Sequence, residues 1–429
     1  MSTLQKVVVV EGCRTPFLRS GTNYMDLLSY QLGGFAIKGL LTKTGIDPKL
    51  VDGVILGNVI ANVKTPNVAR EAALVAGIPH KTPCRTISQA CISANRAIAD
   101  AYQEIMTGHA DIIIAGGIDH ISDAPIQFPK KMRKKLFFAQ KLKGLGDGIK
   151  FLSSLRFSDF IPERPAIAEY TTNKSMGADC DIMAARFGIT RAEQDAYALR
   201  SHQMAAEAQK KGLLTEEMVS VKFPPKFKEI QNDNGIRPDS KIDKLGRLRP
   251  VFDRKFGTLT AANSSFLTDG ASAVLLMSED KAKYLGFTAK AEIVDFTFTG
   301  QRLEDELLLG PAYAVYKLLN RQKMTFKDID VIEFHEAFAG QILSNLKALA
   351  SDGFASKELG LKKSLGEVPM EKFNLWGGSL SIGHPFGATG GRLLTTTCNR
   401  LKHEKGTYGL LAACAAGAHG HAMLLKTLL

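Results

Sequence analysis

A local grammar that occurs twice constrains this chain most: short β-branched runs ending in glycine, followed by helical patterns entered beside a reactive side chain. Residues 6–10 are apolar and β-branched and close on Glu11-Gly12; Val54-Ile55-Leu56 closes on Gly57, and residues 112–115 on Gly116-Gly117. Such runs, bounded by glycine, read as buried strands. Helical patterns over 67–76 and 93–106 lie between them. The last third repeats the order, with a strand over 329–334, a helix over 337–350, a helix over 391–400 and a strand over 408–413. The helix after Cys91 leads to the strand ending at Gly116-Gly117, and the helix after His384 leads to the strand ending near Cys414. Strands alternating with helices predict a parallel sheet covered on both faces. The repetition predicts two related α/β halves, each supplying chemical groups.

Between 125 and 254 the strand signals thin out while prolines and charges increase, which predicts an insertion. The expected division is an N-terminal half over 1–125 completed by about 255–280, an inserted loop domain over 126–254, and a C-terminal half over 281–429. Within the insert, residues 130–157 carry nine lysines and arginines against one acid, Asp147, and so hold most of the chain's formal net charge of +12. Met132, Leu136, Phe137, Phe138, Leu142, Ile149, Phe151, Leu152 and Leu155 interleave with these cations. A basic amphipathic stretch fits an anionic membrane surface; it fits equally a solvated face or a contact with a partner subunit.

Several classes are disfavoured. Six cysteines show no CxxC pair and no regular spacing, which indicates neither a zinc cage nor a disulfide framework and fits free thiols. No apolar run approaches the roughly 20 residues of a spanning helix, and the run 7–10 is too short for a secretory signal. The ending Thr427-Leu428-Leu429 is not the Ser-Lys-Leu address. No zinc-finger spacing or RNA-binding aromatic signature accompanies the positive charge, so nucleic acid is not expected as a partner.

Four segments carry chemistry: Ala90-Cys91-Ile92-Ser93, Phe334-His335-Glu336-Ala337-Phe338, Gly383-His384-Pro385 and Cys414-Ala415-Ala416-Gly417. A thiolate can hold an acyl group as a thioester, an imidazole can remove the thiol proton, and a second thiol can move protons for the group that enters or leaves. Cys91 stands at a predicted helix start, where the macrodipole is expected to lower a thiol pKa from about 8.5. A lone cysteine is otherwise commonly a small buried hydrophobe. His384 lies in a glycine-rich stretch, 378–390, that lets backbone and ligand approach closely; the competing phosphate loop lacks its lysine. The small residues after Cys414 leave backbone N–H groups free for a developing oxyanion, or simply let a thiol pack beneath a turn. His335 occupies a strand-to-helix turn, where open α/β sheets expose ligand-binding groups, and could alternatively cap its helix. His419 and His421 are expected to stand outside the chemistry.

Together with Arg14-Thr15-Pro16-Phe17, Asn67-Val68-Ala69-Arg70-Glu71, Glu193-Gln194-Asp195 with Arg200-Ser201-His202, Thr260-Ala261-Ala262-Asn263-Ser264-Ser265 with Thr268-Asp269-Gly270, and Leu308-Leu309-Gly310-Pro311, these segments make nearly the whole chain resemble the thiolases. Within them it is most similar to the type forming the β-subunit of the mitochondrial trifunctional fatty-acid oxidation complex and its bacterial counterpart. The resemblance implies a five-layer α/β/α/β/α sandwich of two duplicated βαβαβαββ halves with an inserted loop domain. It implies Cys91 as acyl-accepting nucleophile, His384 as its base and an oxyanion donor, and Cys414 as acid/base. The backbone N–H groups of Cys91 and Ala416 would form the second oxyanion hole. His335 stands where many thiolases carry an asparagine that holds a water. Ser265, Met176, Phe338 and Arg237 match CoA or acyl contacts, Arg237 stacking on adenine. One departure is Cys-Ala-Ala-Gly-Ala-His-Gly in place of a glycine-richer turn, so that Ala418 and His419 narrow the pocket.

The activity so implied is degradative: cleavage of a 3-ketoacyl-CoA, long-chain by type, with CoA as co-substrate and no other cofactor or metal. The implied partners are a second copy of the chain, forming a homodimer, and an α-subunit with hydratase and dehydrogenase activities. The implied location is mitochondrial, in the matrix or at the inner membrane, with the bacterial cytoplasm as alternative. Two competing readings are a condensing enzyme, either a biosynthetic acetoacetyl-CoA thiolase or a ketosynthase, and a non-catalytic acyl-CoA-binding scaffold. The second cysteine at 414 argues against a ketosynthase.

Overall fold

The structure is a computed structural model that describes residues 4–163 and 168–429. Its strands are β1 (Val7–Arg14), β2 (Leu18–Arg19), β3 (Gly53–Gly57), β4 (Cys84–Ile87), β5 (Ile112–Asp119), β6 (Thr268–Ser278), β7 (Ala291–Gly300), β8 (Val331–Phe334), β9 (Tyr408–Ala415) and β10 (His419–Thr427). They lie in the order β4-β3-β5-β6-β1-β7-β10-β9-β8, with β2 beside β6. The two halves meet at β1 and β7, through Val8 opposite Glu292 and Val9 opposite Ala291. Outward from that junction, β1-β6-β5-β3 on one side mirrors β7-β10-β9-β8 on the other. Beyond β8, Ile332 and Phe373 form an isolated parallel bridge at the place β4 occupies beyond β3.

The sheet is mixed, which corrects the expectation of a parallel one. Only β3 with β4 and β5, and β8 with β9, run parallel. The inner pairs β5·β6, β6·β1, β9·β10 and β10·β7 are antiparallel. The cause is plain at β9 and β10: residues 416–418 alone connect them, far too few for a parallel crossover.

The helices are α1 (Ser29–Thr44), α2 (Val68–Val75), α3 (Ser93–Met106), α4 (Lys130–Ala139), α5 (Leu145–Ser154), α6 (Met176–Arg186), α7 (Arg191–Lys210), α8 (Ile242–Gly246), α9 (Glu279–Tyr284), α10 (Gly310–Gln322), α11 (Ala339–Leu349), α12 (Asp352–Leu359) and α13 (Thr389–Glu404). Strand alternation assigns them to layers. Val8, Val10, Val54 and Leu56 pack outward with Leu32, Ile37 and Leu40 of α1. Val7, Val9, Ile55 and Ile113 face the opposite way, into a core shared with Ile98 of α3, Leu393 and Leu394 of α13, and Leu411 and Met423 of the second half. Leu410, Ala412 and Leu424 pack against Val315 and Leu319 of α10 and Ile342 of α11. The layers are therefore α1/α2, the first half-sheet, α3/α13, the second half-sheet and α10/α11. Strands buried on both faces explain the unbroken apolar runs of β1, β3 and β5.

The segment between β5 and β6 contributes α4 to α8, and no strand of its own among the described residues. A buried charge cluster ties it to the sheet. Arg14, at the end of β1, donates to Glu217 Oε1 at 2.7 Å and to both carboxylate oxygens of Asp233 at 2.7 and 2.9 Å. Asp233 also accepts the Phe17 amide at 2.7 Å, and Glu217 accepts the Thr396 hydroxyl of α13 at 2.8 Å. Burial alone disfavours the guanidinium charge; the two carboxylates outweigh it and raise the arginine pKa. Replacing Arg14 by Met leaves two carboxylates buried without their cation, so chemical denaturation is expected to show a loss of about 3–5 kcal/mol. A loss below about 1 kcal/mol, the scale of an exposed pair, would show that this cluster does not hold the insert in place.

Candidate active site

The Cys91 loop follows β4 and is closed by its own backbone. Ala90 takes φ 46°, a left-handed conformation that costs free energy in any residue with a Cβ. Ser93 holds it: its hydroxyl donates to Ala90 O at 2.7 Å and accepts the Gln89 N–H at 2.8 Å, and its amide donates to the same Ala90 oxygen at 3.0 Å. The N-cap of α3 is Ile92, which places half-buried Cys91 just outside the helix. Burial pushes the Cys91 thiol up to about 11; the N–H groups of Ala416 and Cys91 pull the other way, and the carboxylates of Asp119 and Glu169 push with burial. The expected lowering by the helix start is not realised, because desolvation of the sulfur outweighs the dipole. At neutral pH this site holds a thiol.

Cys414 lies near the end of β9 and is fully buried. Burial raises its pKa well above the ordinary thiol value, and the neighbouring Cys91 sulfur adds to the rise. The following turn uses left-handed backbone at Gly417 and Ala418, φ 79° and 54°. The Gly417 N–H donates to the Glu169 carboxylate of the insert, and Gln301 N–H donates to Ala418 O at 3.0 Å.

The imidazoles of His335 and His384 lie against each other with centroids 4.0 Å apart and planes tilted by 40°, both buried. Their hydrogen bonds fix opposite tautomers. The Thr389 hydroxyl spends its one proton on Pro385 O at 2.9 Å, so at 2.7 Å from His384 Nδ1 it accepts, and Nδ1 carries the hydrogen. His384 Nε2 is then a bare lone pair without a partner. Ser379 Oγ accepts from Arg392 Nη2 at 3.2 Å, and among the described residues its own proton has no acceptor other than His335 Nδ1 at 2.9 Å, so the hydroxyl donates there and His335 Nε2 bears the hydrogen. Burial drives the His384 pKa down to about 3, assisted by Arg392. His335 is lowered well below the ordinary value by burial, then by His384 and Arg392. Both rings are neutral at working pH. Beside them, the buried carboxylate of Glu336 accepts from Tyr197, Ser201 and Asn374 side chains at 2.7–2.8 Å and from Leu380 N–H at 3.2 Å, fixing the chain on both sides of the pair.

No hydrogen bond joins Cys91 to His384 among the described residues; the packing of α3 against α13 relates their loops, and Asp119 ties the His384 loop to the end of β3. Asp119, at the end of β5, accepts the amides of Val59 and Ile60 at 3.1 and 2.8 Å, the Asn58 side chain at 3.0 Å, and the Gly387 N–H. A Cβ on Gly387 would stand 2.8 Å from Ile118 O, so only glycine fits there. Burial raises the Asp119 pKa to about 7, against the pull of these amides. Gly390, in the first turn of α13, lies so close to α3 that a Cβ would come within 2.6 Å of Asn95 N. Both reactive loops thus open from the same end of the middle layer, at the carboxyl ends of the parallel strands, where α/β sheets bind ligands.

Of the expected substrate contacts, three come together. Ser265 N–H donates to Ala337 O at 2.9 Å, and Ser264 bridges Phe338. The Phe338 ring meets Phe252 edge-on at 5.8 Å, and Gly177, next to Met176, packs on that Phe252 ring. Arg237 stands apart and exposed, its amide donating to His202 Nδ1 at 3.2 Å. Its neighbour Gly235 packs on Phe266, whose ring lies 3.9 Å from the Arg19 guanidinium and touches Gly383. Sequence reasoning missed Asp119, Ser379, Thr389, Arg392, Glu336 and Glu169. Of these, Glu336, Ser379 and Thr389 lie inside the segments 334–338 and 378–390 already singled out, and Asp119 closes β5 two residues after Gly116-Gly117; Arg392 and Glu169 carry no local signal.

Family models agree with this architecture: "Thiolase, N-terminal domain" matches residues 7–280 and "Thiolase, C-terminal domain" residues 287–427. The chain is 51% identical over 423 residues to the human mitochondrial trifunctional enzyme subunit beta, covering 99% of this chain and 89% of that protein. It is 44% identical over 421 residues to a 3-ketoacyl-CoA thiolase of Yersinia pestis, covering 98% and 97%. The crystal structure of human mitochondrial 3-ketoacyl-CoA thiolase superposes with a TM-score of 0.83 at 29% identity, over 100% of both chains. Two matched domains, full-length relatives and a shared five-layer fold place the chain in the thiolase family.

Proposed function

We propose that this protein is a 3-ketoacyl-CoA thiolase, an acyltransferase of fatty acid β-oxidation that uses CoA to cleave a 3-ketoacyl-CoA into acetyl-CoA and a shortened acyl-CoA. One observation carries the reading: Cys91 and Cys414 are un-ionised thiols that act on each other electrostatically, and beside them the same fold holds two buried, neutral imidazoles in opposite tautomers with centroids 4.0 Å apart. The names of the full-length relatives support it.

In this reading the Cys91 thiol gives its proton to the free Nε2 of His384 and attacks C3 of the substrate. The C2–C3 bond breaks, the acyl group stays on sulfur, and the acetyl-CoA enolate takes a proton at C2 from Cys414. Incoming CoA returns a proton to the Cys414 thiolate and attacks the thioester; Cys91 leaves and recovers the proton held by His384. The N–H groups of Cys91 and Ala416 stabilise the oxyanion on the acyl carbon. Nε2–H of His335 orients a water that, with His384, stabilises the enolate oxygen. Because burial keeps every group uncharged at rest, negative charge develops only where donors are preorganised for it, which lowers the barrier rather than tightening ground-state binding. These steps need CoA as co-substrate and no other cofactor.

Met176, Phe338 and Ser265 line the acyl and pantetheine side of this site, and Arg237 stands toward the adenine end. In this proposal the chain forms a homodimer joined to an α-subunit with hydratase and dehydrogenase activities, in mitochondria; the relatives named as a mitochondrial trifunctional enzyme subunit beta support the α-subunit and the location, and the bacterial relative keeps the bacterial cytoplasm as the alternative. Thiolysis of C4, C8 and C16 3-ketoacyl-CoA in parallel tests the function. Turnover is expected on the long chain, lost in Cys91→Ala and slowed about 10²–10⁴-fold in Cys414→Ser. Activity confined to C4 would favour an acetoacetyl-CoA enzyme, and full turnover by Cys91→Ala would remove the thioester route.

The helices α4 and α5 add a membrane contact to this proposal. Phe137, Phe138, Ile149 and Leu152 are exposed, and Leu145 and Phe157 reach 90% and 85% exposure, beside exposed Lys130, Lys131, Arg133, Lys134, Lys141 and Lys143. Met132 alone of the interleaved apolar residues turns fully inward, and Lys135 pairs with Asp159 at 2.6 Å. Apolar side chains ringed by cations suit anionic lipid, at about 1 kcal/mol for each cation near the surface. Co-sedimentation with cardiolipin-containing vesicles is expected, weakening at high salt, with neutral vesicles, and on replacing Lys130, Lys131, Lys134 and Lys141 by Gln. Equal binding in every arm would leave the stretch as a subunit contact or a solvated face.

A further inference from the structure

Arg392 sits in the first turn of α13, fully buried, a place where the helix dipole disfavours a cation. Its pairing is incomplete. Nη2 donates to Ser379 Oγ at 3.2 Å, Nη1 stands 3.7 Å from Glu333 Oε2, and neither Nε nor Nη1 has a hydrogen-bond partner among the described residues. The better claim on Glu333 belongs to Arg400, at 2.7 Å. The other charged groups that act on Arg392 are Glu217, Arg14 and Glu336. Glu217 is engaged by Arg14 at 2.7 Å, and Glu336 by its four donors. A buried, under-paired guanidinium costs stability.

Its placement makes sense relative to the imidazoles. From Arg392 the hydrogen bonds run through Ser379 to His335 Nδ1, and the His335 ring lies against His384. We propose that Arg392 is a positioning residue for the histidine pair: by occupying one of the two acceptor sites of Ser379 it favours that hydroxyl as a donor to His335 Nδ1, and its positive charge opposes a second cation on either ring. The first effect makes His335 Nε2 a donor. The second returns the proton that His384 takes from a thiol, since a lasting imidazolium would lie beside a fixed cation in a dry site. The direction of both imidazole pKa values, downward with Arg392 among the causes, agrees. The kinetic part of this inference rests on the thiolase reading; the tautomers and charge states do not.

Two readouts separate them. Ring-nitrogen NMR of 15N-histidine-labelled protein, with His335→Asn and His384→Asn for assignment, should show His335 as the Nε2–H form and His384 as the Nδ1–H form, neither titrating between about pH 5.5 and 8. In Arg392→Gln, His335 should become a tautomer mixture and the titration of at least one ring should move to higher pH than in the wild type, whether or not the protein cleaves 3-ketoacyl-CoA. Arg392→Lys should keep both rings neutral while the His335 tautomer is lost, because a charge remains without the guanidinium fork. In thiolysis, Arg392→Gln should lower kcat by about 10²-fold with the KM for CoA nearly unchanged, and raise the acid limb of the kcat/KM profile. Ser379→Ala should lower kcat without moving that limb. If Arg392→Gln does not fold, Arg392→Lys and Ser379→Ala decide. Wild-type tautomers and rates in both of those, or an unshifted histidine titration in a folded Arg392→Gln, would overturn the assignment; absent thiolysis by the wild type with the expected NMR pattern would overturn the thiolase reading alone.

Discussion

The close approach of α3 and α13 at Gly390 and Asn95 is the contact on which the rest of this structure depends. Each helix belongs to a different half of the chain, and each is entered through a reactive loop, that of Cys91 for α3 and that of His384 for α13. A side chain at 390 would separate them, because a Cβ there meets backbone within 2.6 Å. Their packing in the middle layer, with Leu393, Leu394, Ala97 and Ile98 in one apolar core, brings together residues that are far apart in sequence. Asp119 then fixes the last degree of freedom by holding Gly387 to the ends of the first half-sheet.

Placing reactive groups in the middle of five layers has an electrostatic consequence. Desolvation is the largest influence on Cys91, Cys414, His335 and His384 alike, and it pushes thiols up and imidazoles down. The pair therefore rests as thiol and imidazole, not as thiolate and imidazolium. Such a site cannot hold a standing nucleophile; it makes one only when a substrate carbonyl is present to accept the charge. A resting thiol is the less reactive form, so oxidation and alkylation of Cys91 are expected to be slow at neutral pH.

The elements most legible in the sequence are those whose cause is local. The apolar pattern over 93–106 matches the helix Ser93–Met106, and β-branched runs closed by glycine mark β3 and β5. The mirrored halves followed from order alone. The direction of the inner strands did not, because pairing of β1 with β6 and β7 is a long-range fact that no local pattern reports. The thiol pKa was misjudged for a related reason: the helix start is visible in the sequence, whereas the burial that outweighs it is supplied by the whole fold. The tautomers of His335 and His384 are equally hidden, since they are set by Ser379, Thr389 and Arg392 through the tertiary structure.

The central claim is that Cys91 is an un-ionised thiol at rest, activated only by transfer of its proton. The most direct test is the rate of Cys91 alkylation by iodoacetamide from about pH 6 to 10, with the modified residue mapped by mass spectrometry. If burial governs, the rate climbs about tenfold per pH unit through the whole range without a plateau, as the thiolate of a group titrating near 11 accumulates. A plateau reached below about pH 8 would mean a preformed thiolate, and would contradict the neutral resting site on which the account stands.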